Sequence, residues 1–175
     1  MPTNVINTTE GQTIARELMI AYLNTGTSST PVWSAIGKRV EDSSMDYDWS
    51  EETKQDILGN VHSTLKKPII TQDFDPCYLD SGDAAVTKIW DLGVKQQDAQ
   101  ALAAQDVLVA HFYAGATATP WAERYTSSMV RPTSLGGEGG GNMEMGVSIT
   151  YGGERTLGTV SKGTGGVITF TPASE

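Results

Sequence analysis

The stretch MEMGVSITY, residues 143–151, decides the fold class, because large apolar residues alternate in it with small or polar ones. Period-two alternation is typical of a β-strand with one buried and one solvated face. The stretch SMDYDWSEE, residues 44–52, repeats the pattern. Its apolar members are Met45, Tyr47 and Trp49, and we expect these three side chains to face the core. Two such strands predict a mainly β protein.

Further segments around these two strands also favour β structure. The run VLVAHFYA, residues 107–114, is continuously apolar and predicts a strand covered on both faces. Gly152-Gly153 predicts a tight hairpin turn. The segment 14–23 fits a strand or a short helix. Other predicted strands are 61–74, interrupted at Pro68, and 123–131, 156–161 and 167–171.

One flanking α-helix is predicted over residues 82–92, with an N-cap among Asp80, Ser81 and Gly82 and a stop at Gly93. The Ala- and Gln-rich segment 96–105 fits a second short helix or a loop. Because no linker long enough to divide the chain is found, residues 1–175 are predicted to form one domain. Residues 1–12 are expected to form a mobile N-terminal arm, and the polar residues 50–60 a hairpin arm.

The bulk composition excludes several classes of function. The chain has 175 residues and a net charge of −9. This negative charge argues against a nucleic-acid-binding protein. No apolar run is long enough to span a membrane. The first residues, MPTNVINTTEGQ, lack the basic and apolar regions of a secretory signal, so export by that route is not expected. Cys77, the single cysteine, is expected to be a buried apolar residue.

Candidate chemical motifs fail on inspection. The glycine cluster at residues 136–141 lacks the Lys-Ser/Thr of a phosphate loop and precedes a strand rather than a helix. Asp46, Asp48 and Ser50 begin like a calcium loop, but its later ligand positions are filled by unsuitable residues. His111 lies inside an apolar strand and is expected to be a hydrogen-bonded core residue. We therefore predict no enzyme activity, no metal and no cofactor.

Two ordered groups of motifs carry a family resemblance. The first is Leu23-Asn24-Thr25-Gly26 followed by PVWSAIGK at residues 31–38; the second is the glycine loop with Tyr151-Gly152-Gly153 and Gly158-Thr159-Val160. Together they resemble the major tail protein, or tail tube protein, of long-tailed (siphovirus-type) bacteriophages of Gram-positive hosts. Arg39 stands where that family often has Gly. The matching motif positions are Pro31, Val32, Trp33, Gly37, Gly136, Gly137, Glu138, Gly139 and Gly140.

The resemblance implies a β-sandwich or β-barrel with a flanking short helix, whose subunits form hexameric rings. The rings stack into a tube around a tape-measure protein, and DNA later passes through the bore without specific binding. A tail terminator and a distal tail protein are further expected partners. The protein would belong to the virion and assemble in the bacterial host cytoplasm, with no membrane association.

The acidic positions of the first strand gain a role in this picture. If Met45, Tyr47 and Trp49 face the core, then Asp46, Asp48 and Glu52 share the opposite face, which could line the bore and repel phosphates. Glu144 on the second alternating strand is a further candidate. The alternative is that this face is simply external and solvated.

Two other functions remain open at this level. The chain could form the tube of a contractile tail or a tailocin. From a different class, a carbohydrate- or surface-binding β-sandwich module could share this composition.

Overall fold

The computed structural model describes residues 6–174, which form eleven strands and two short α-helices. The helices are α1 (Ala84–Trp90) and α2 (Ala99–Leu102), and a π-helical segment, Asp91–Lys95, joins them. Strands β1 to β11 are, in chain order, Met19–Asn24, Trp33–Ala35, Met45–Asp48, Glu52–Gln55, Val61–Thr64, Ile69–Tyr78, Gln105–Ala116, Thr119–Gly136, Glu144–Tyr151, Arg155–Lys162 and Ile168–Pro172. The predicted mainly β fold with a flanking short helix is confirmed.

Nine of the strands form two antiparallel sheets that share the long strand β8. The large sheet has the order β2-β1-β7-β8-β10-β11 and uses the first half of β8. The small sheet has the order β8-β9-β6-β3 and uses the second half of β8. Strands β4 and β5 pair with each other in a separate two-stranded hairpin. One strand that crosses between two sheets is a common way to close a β-sandwich.

The corner between the sheets corrects the prediction of a hairpin at Gly152-Gly153. Strands β9 and β10 do not pair; both run antiparallel along β8, first with Met129 opposite Thr150 and then with Tyr125 opposite Arg155. Backbone bonds from Ser127 to Gly152 and from Thr126 to Glu154 continue the ladder between them. The glycine pair is therefore the bend of a two-stranded ribbon that passes from the small sheet to the large one.

The main core lies between the two sheets and under α1. It unites Val109 of β7, Val147 of β9 and Ile89 of α1. A second buried cluster covers the opposite face of the large sheet around Leu108 and Val160. Because successive residues of β7 enter different clusters, its apolar run is continuous, and the prediction of a strand covered on both faces is confirmed.

The helix begins and ends differently from its prediction. Asp83 caps α1, since its Oδ1 accepts a hydrogen bond of 3.1 Å from the Val86 amide, whereas Asp80 closes the preceding turn. Gly93 does not stop the helix; the π-helical segment carries the chain past it to Lys95. A Cβ at Gly93 would overlap the ring of Pro132 on β8, so the glycine permits close packing there. This helical segment therefore packs against the inner side of the small sheet at β8.

The prediction that Met45, Tyr47 and Trp49 face the core was wrong in part, because Met45 packs against the main core while Tyr47 and Trp49 are exposed. Met45 is half-buried, while Tyr47 and Trp49 are 46% and 49% exposed. Register places Met45 and Tyr47 opposite the buried Gln72 and Ile70, hence on the inner side of the small sheet. They stay accessible because β3 is an edge strand.

The two predicted arms fall in different surroundings. Residues 1–5 of the N-terminal arm lie outside the described residues, but Ile6 bridges to Ala114, and the Asn7 amide donates to the Tyr113 carbonyl at 2.8 Å. The β4–β5 hairpin occupies residues 52–64 and is exposed along both strands. Chain direction changes before it at Ser50, which has a φ of 46°.

Candidate assembly surfaces

The outward face of the small sheet is acidic, and we call it the acidic face. Alternation along β6 and β9 defines this face, and the strand register extends it to β3 and β8. Arg131 on β8 is the basic member of this face among the described positions. The remaining polar members are small, such as Ser148 and Thr150. Its carboxylates are Asp46 and Asp48 on β3, Asp73 and Asp75 on β6, and Glu144 on β9.

Three of the four predicted lumen residues therefore share one face, and one does not. Asp46 and Asp48 lie at the β3 edge, and Glu144 lies at the far end of β9, opposite Tyr78. Glu52 is on β4, outside the small sheet, and its carboxylate pairs with Lys54 at 2.8 Å. The expected common face of Asp46, Asp48 and Glu52 was wrong because β3 ends at Asp48 and the chain turns at Ser50.

Asp73 and Asp75 belong to this face but were missed from the sequence. The segment 69–78 alternates, with Ile70, Gln72 and Phe74 buried. Gln72 interrupts the apolar–polar alternation in the sequence, because it is a polar residue at an inward position. Its side chain is satisfied by Tyr151 Oη, at 2.6 Å from Gln72 Oε1, and by Ser43 Oγ, at 3.0 Å from Gln72 Nε2. Tertiary partners allow a polar residue to occupy a core position.

Open strand edges form the second kind of assembly surface. Within the described residues, β3 pairs on one side, with β6, and β11 pairs on one side, with β10. β2 is likewise bonded on one side, to β1. An open edge exposes backbone donors and acceptors that can pair with another chain. Trp49 and Tyr47 stack at the β3 edge with ring centroids 6.5 Å apart, which places exposed aromatic surface beside it.

The Asn24 loop explains one group of motif positions. Asn24 Oδ1 accepts hydrogen bonds from the amides of Gly26 and Val32, and this fixes the loop between β1 and β2. Val32 itself is 54% exposed, and Pro31 is half-buried. The motif positions in this region therefore shape the connection between β1 and β2.

Trp33 and Gly37 complete that motif group. Trp33 is buried under the Arg124 guanidinium, which is held by Asp106 through two hydrogen bonds of 2.9 and 2.6 Å. Gly37 has a φ of 105°, and a Cβ there would lie 3.3 Å from the Phe74 ring. Both residues therefore serve packing.

The glycine loop joins β8 to β9, and Gly136 pairs with Glu144 across its base. Gly137 and Gly140 have φ values of 145° and 81°, which L side chains rarely adopt. Gly139 has open space around it, and Glu138 is exposed. The loop is an exposed β-hairpin connection.

A buried polar network joins β7, β8 and β10. Glu123 is 2% exposed; its Oε1 is 3.0 Å from His111 Nε2, and its Oε2 accepts from Arg155 Nε at 2.7 Å. Tyr125 Oη donates to the same Oε2 at 2.9 Å, and His111 Nδ1 is 2.8 Å from Tyr113 Oη. The prediction of a hydrogen-bonded core histidine is confirmed.

The electrostatics of this network favour an ionised carboxylate. Burial raises the pKa of Glu123, but the hydrogen bonds from His111 and Arg155 outweigh it, so the net pKa lies below the ordinary value. Burial, with the Glu123 charge, raises the pKa of Tyr125. Each side chain of the network forms a hydrogen bond with another member. The network therefore stabilises the sandwich rather than presenting a reactive group.

No group of three or more His, Cys, Asp and Glu residues suited to a metal ion occurs among residues 6–174. Across the same described range, no helix has the length and apolar character needed to cross a membrane.

Comparison with known proteins places the fold. No protein-family model matches the sequence, and no curated protein matches it. The structure is similar to the tube-terminating cap of the anti-feeding prophage, with a TM-score of 0.50 and 12% identity, covering 91% of this chain and 99% of the cap chain. It is also similar to a sheath/tube terminator of the PVC extracellular contractile injection system, with a TM-score of 0.51 and 9% identity, covering 85% and 99%. The chain therefore has the fold of these tube-terminating proteins along almost their entire length.

Proposed function

We propose that this chain is a structural subunit of a phage-type tail tube, which forms hexameric rings that stack around a bore for DNA. The observation that carries the proposal is the acidic face. Five carboxylates against one Arg make this four-stranded face negatively charged, unlike the basic surface of a nucleic-acid site, and Ile69 and Met129 are its exposed apolar members. Repeated around a ring, it would make a negatively charged wall along which DNA slides without binding.

The strand edges support assembly by sheet extension. Sixfold closure of a ring would pair the open β3 edge of each small sheet with the neighbouring subunit, so that β3 is not left as a template for aggregation. β3 is suited to this role because it is short, lies beside the acidic face and presents Tyr47 and Trp49 for burial against the next subunit. Tyr and Trp are enriched in protein interfaces.

The particular tail type is a finer part of the proposal. The motif resemblance points to the major tail protein of siphovirus-type phages of Gram-positive hosts, acting with a tape-measure protein, a tail terminator and a distal tail protein in particles assembled in the host cytoplasm. The fold similarity to tube terminators of contractile systems favours a second candidate, a subunit of a contractile tail or of the ring that ends its tube. All of these roles are structural rather than enzymatic.

The experiment is electron microscopy of the purified protein over a concentration series, paired with light scattering. Stacked rings or hollow tubes are expected for a tube subunit. Single rings that never stack would favour the terminator. A monomer at every concentration, also in the presence of preformed tail tips, would contradict the proposal.

An exposed pair of aromatic residues supports one candidate of another class, a carbohydrate-binding module. Tyr47 and Trp49 stack with an interplanar angle of 17° and are half exposed, as in surfaces that bind sugar rings. Isothermal titration with host cell-wall polysaccharide distinguishes the two. Affinity that disappears in Trp49→Ala, in a protein that stays monomeric, would favour the carbohydrate-binding module.

A further inference from the structure

A lysine of α1 reaches the end of β1 without forming an ion pair. Lys88 Nζ donates a hydrogen bond of 2.7 Å to the backbone carbonyl of Asn24. Among residues 6–174, Lys88 pairs with no carboxylate. Burial lowers the pKa of Lys88, against the opposing effect of the Asp106 charge. An amine that gives up its proton more easily is more often present in its nucleophilic form.

The side-chain carbonyl of Asn24 is polarised by two backbone amides. Asn24 is 4% exposed, and its Oδ1 accepts hydrogen bonds from the Gly26 amide at 2.9 Å and the Val32 amide at 3.0 Å. Two such donors stabilise the negative charge that a carbonyl oxygen takes when a nucleophile adds to its carbon, as in an oxyanion hole. The Cγ carbon of Asn24 is therefore prepared for attack.

A carboxylate lies at the nitrogen end of the same amide group. Asp106 Oδ2 accepts a hydrogen bond of 3.1 Å from Asn24 Nδ2. The Asp106 side chain is 15% exposed and is held in place by Arg124, whose Nε and Nη2 donate to it at 2.9 and 2.6 Å. Asp106 thus lies where a proton has to be taken from an attacking amine and delivered to a leaving nitrogen.

Only the fold brings these three groups together. Lys88 and Asn24 are 64 positions apart, and Asp106 lies on β7, the strand that pairs with β1. Groups held side by side react as parts of one molecule, at effective concentrations of about 10⁵ M or more. Nζ already contacts one carbonyl group of Asn24. Attack on the other carbonyl group of the same residue needs a short movement of a flexible lysine side chain.

We propose that Lys88 and Asn24 join in an intramolecular isopeptide bond, with Asp106 as the proton carrier and ammonia as the leaving group. Asp106 takes a proton from the Lys88 ammonium, and the neutral Nζ attacks Cγ of Asn24. The Nζ–Cγ bond forms, and a proton of Nζ passes to Nδ2. The Cγ–Nδ2 bond then breaks, and ammonia leaves with the proton from Asp106 as an ammonium ion. The exchange of one amide for another involves no oxidation or reduction.

The bond ties α1 to β1 covalently within one chain. It closes a loop between positions 24 and 88, and a cross-link over such a length removes conformational entropy from the unfolded chain. It joins no second copy of the chain, so it is independent of the tube proposal.

Intact-mass spectrometry of the purified full-length protein tests the bond. Wild type is expected to be lighter than its sequence mass by one ammonia. Trypsin should release a branched peptide that joins residues 17–38 to residues 67–95, because cleavage after a modified Lys88 is blocked. Lys88→Arg keeps a positive charge and a donor for the Asn24 carbonyl but lacks the amine, so it should keep its full sequence mass. Lys95→Arg, at an exposed lysine that follows α1, is the matched control and should lose ammonia as wild type does.

Asp106→Asn tests the proton carrier, with circular dichroism to verify that the variant is folded. The branched peptide, followed over time after cell-free synthesis, is expected to form about 100-fold more slowly or less. Asp42→Asn, at an exposed position, should form it at the wild-type rate. An unchanged rate in Asp106→Asn would overturn the assignment of Asp106.

Two results would overturn the bond itself. One is wild type at its full sequence mass with normal cleavage after Lys88, which would leave Lys88 as a hydrogen-bond donor to the Asn24 carbonyl. The other is an ammonia loss that persists in Lys88→Arg, which would place the loss at another amide.

Discussion

At the scale of single residues, Glu123 is the group on which most polar contacts converge. Its carboxylate forms hydrogen bonds with three side chains on three strands: His111 on β7, Tyr125 on β8 and Arg155 on β10. A buried charge is tolerated only where such partners replace water. The network therefore fixes how the end of β10 sits against β7 and β8.

Replacing Glu123 by Gln is expected to lower the free energy of unfolding by about 1–3 kcal/mol at pH 7, because the side chains that bond to the buried carboxylate lose their charged partner. Chemical denaturation measures this change. Glu154→Gln, at an exposed neighbouring position, is the matched control and should stay within about 0.5 kcal/mol of wild type. A penalty of equal size in both variants would contradict the assigned role.

The free energy of unfolding of wild type and of Glu123→Gln should depend differently on pH. The folded-state pKa of Glu123 lies below its ordinary value of about 4.3. A depressed pKa contributes stability that is present above the unfolded-state pKa and is lost as pH falls through the folded-state pKa. The stability difference between wild type and Glu123→Gln should therefore shrink below about pH 4. A difference that stays constant from pH 7 to pH 3 would show that packing, not charge, sets it.

At the scale of elements, the bend at Gly152-Gly153 determines how two sheets share one ribbon. Gly153 has a φ of 77°, and a Cβ there would lie 2.6 Å from Ser127 Cβ and 2.7 Å from the Ser127 backbone nitrogen. Both the backbone conformation and the space therefore require glycine. The strands on either side can pass into different sheets because this position allows the chain to turn tightly against β8.

Gly153→Ala is expected to destabilise the protein by about 2–4 kcal/mol, the sum of a left-handed conformation for a residue with a Cβ and of overpacking against Ser127. Thermal unfolding followed by circular dichroism measures it. Gly139→Ala is the control, since that glycine has open space around it and no left-handed φ. A neutral Gly153→Ala would show that the ribbon does not need this bend.

At the scale of the whole molecule, the acidic face would have its effect when several copies of it are repeated around a ring. A single subunit carries Asp46, Asp48, Asp73, Asp75 and Glu144 on a face that would be ordinary in a monomer. In the ring that we propose, the same residues would surround the bore, where a field of one sign would repel phosphate and keep DNA from adsorbing. The field is screened over about 10 Å at 0.1 M salt, so its effect concentrates near the wall.

The variant Asp46→Lys/Asp48→Lys is expected to form normal tubes but to slow DNA ejection, because introduced cations at the wall bind phosphates. Ejection is timed by fluorescence of a DNA-binding dye, and its slowing should weaken as salt rises. Glu10→Lys/Glu154→Lys makes the same change in net charge at exposed positions outside the acidic face. Ejection at the normal rate in Asp46→Lys/Asp48→Lys would contradict the placement of this face in the bore.

Local patterns determined much of this protein from sequence alone. Alternation at 143–151, the apolar run at 107–114 and an apolar helical spacing near 82–92 are set by which faces of an element are buried, and neighbouring residues record that directly. The mainly β class, the flanking helix and a buried His111 followed from these patterns, and the structure confirms them.

Tertiary structure decided what local patterns do not encode. β3 alternates like a buried strand, yet Tyr47 and Trp49 are exposed, because burial depends on whether another layer reaches that edge. Gly152-Gly153 reads as a hairpin but is a corner, since the pairing partner of β10 is β8 rather than β9. The acidic face likewise unites residues up to 98 positions apart, from Asp46 to Glu144 (144 − 46). Sequence fixes the faces of each strand, and only the packing of strands decides which faces meet a neighbour and which stay open.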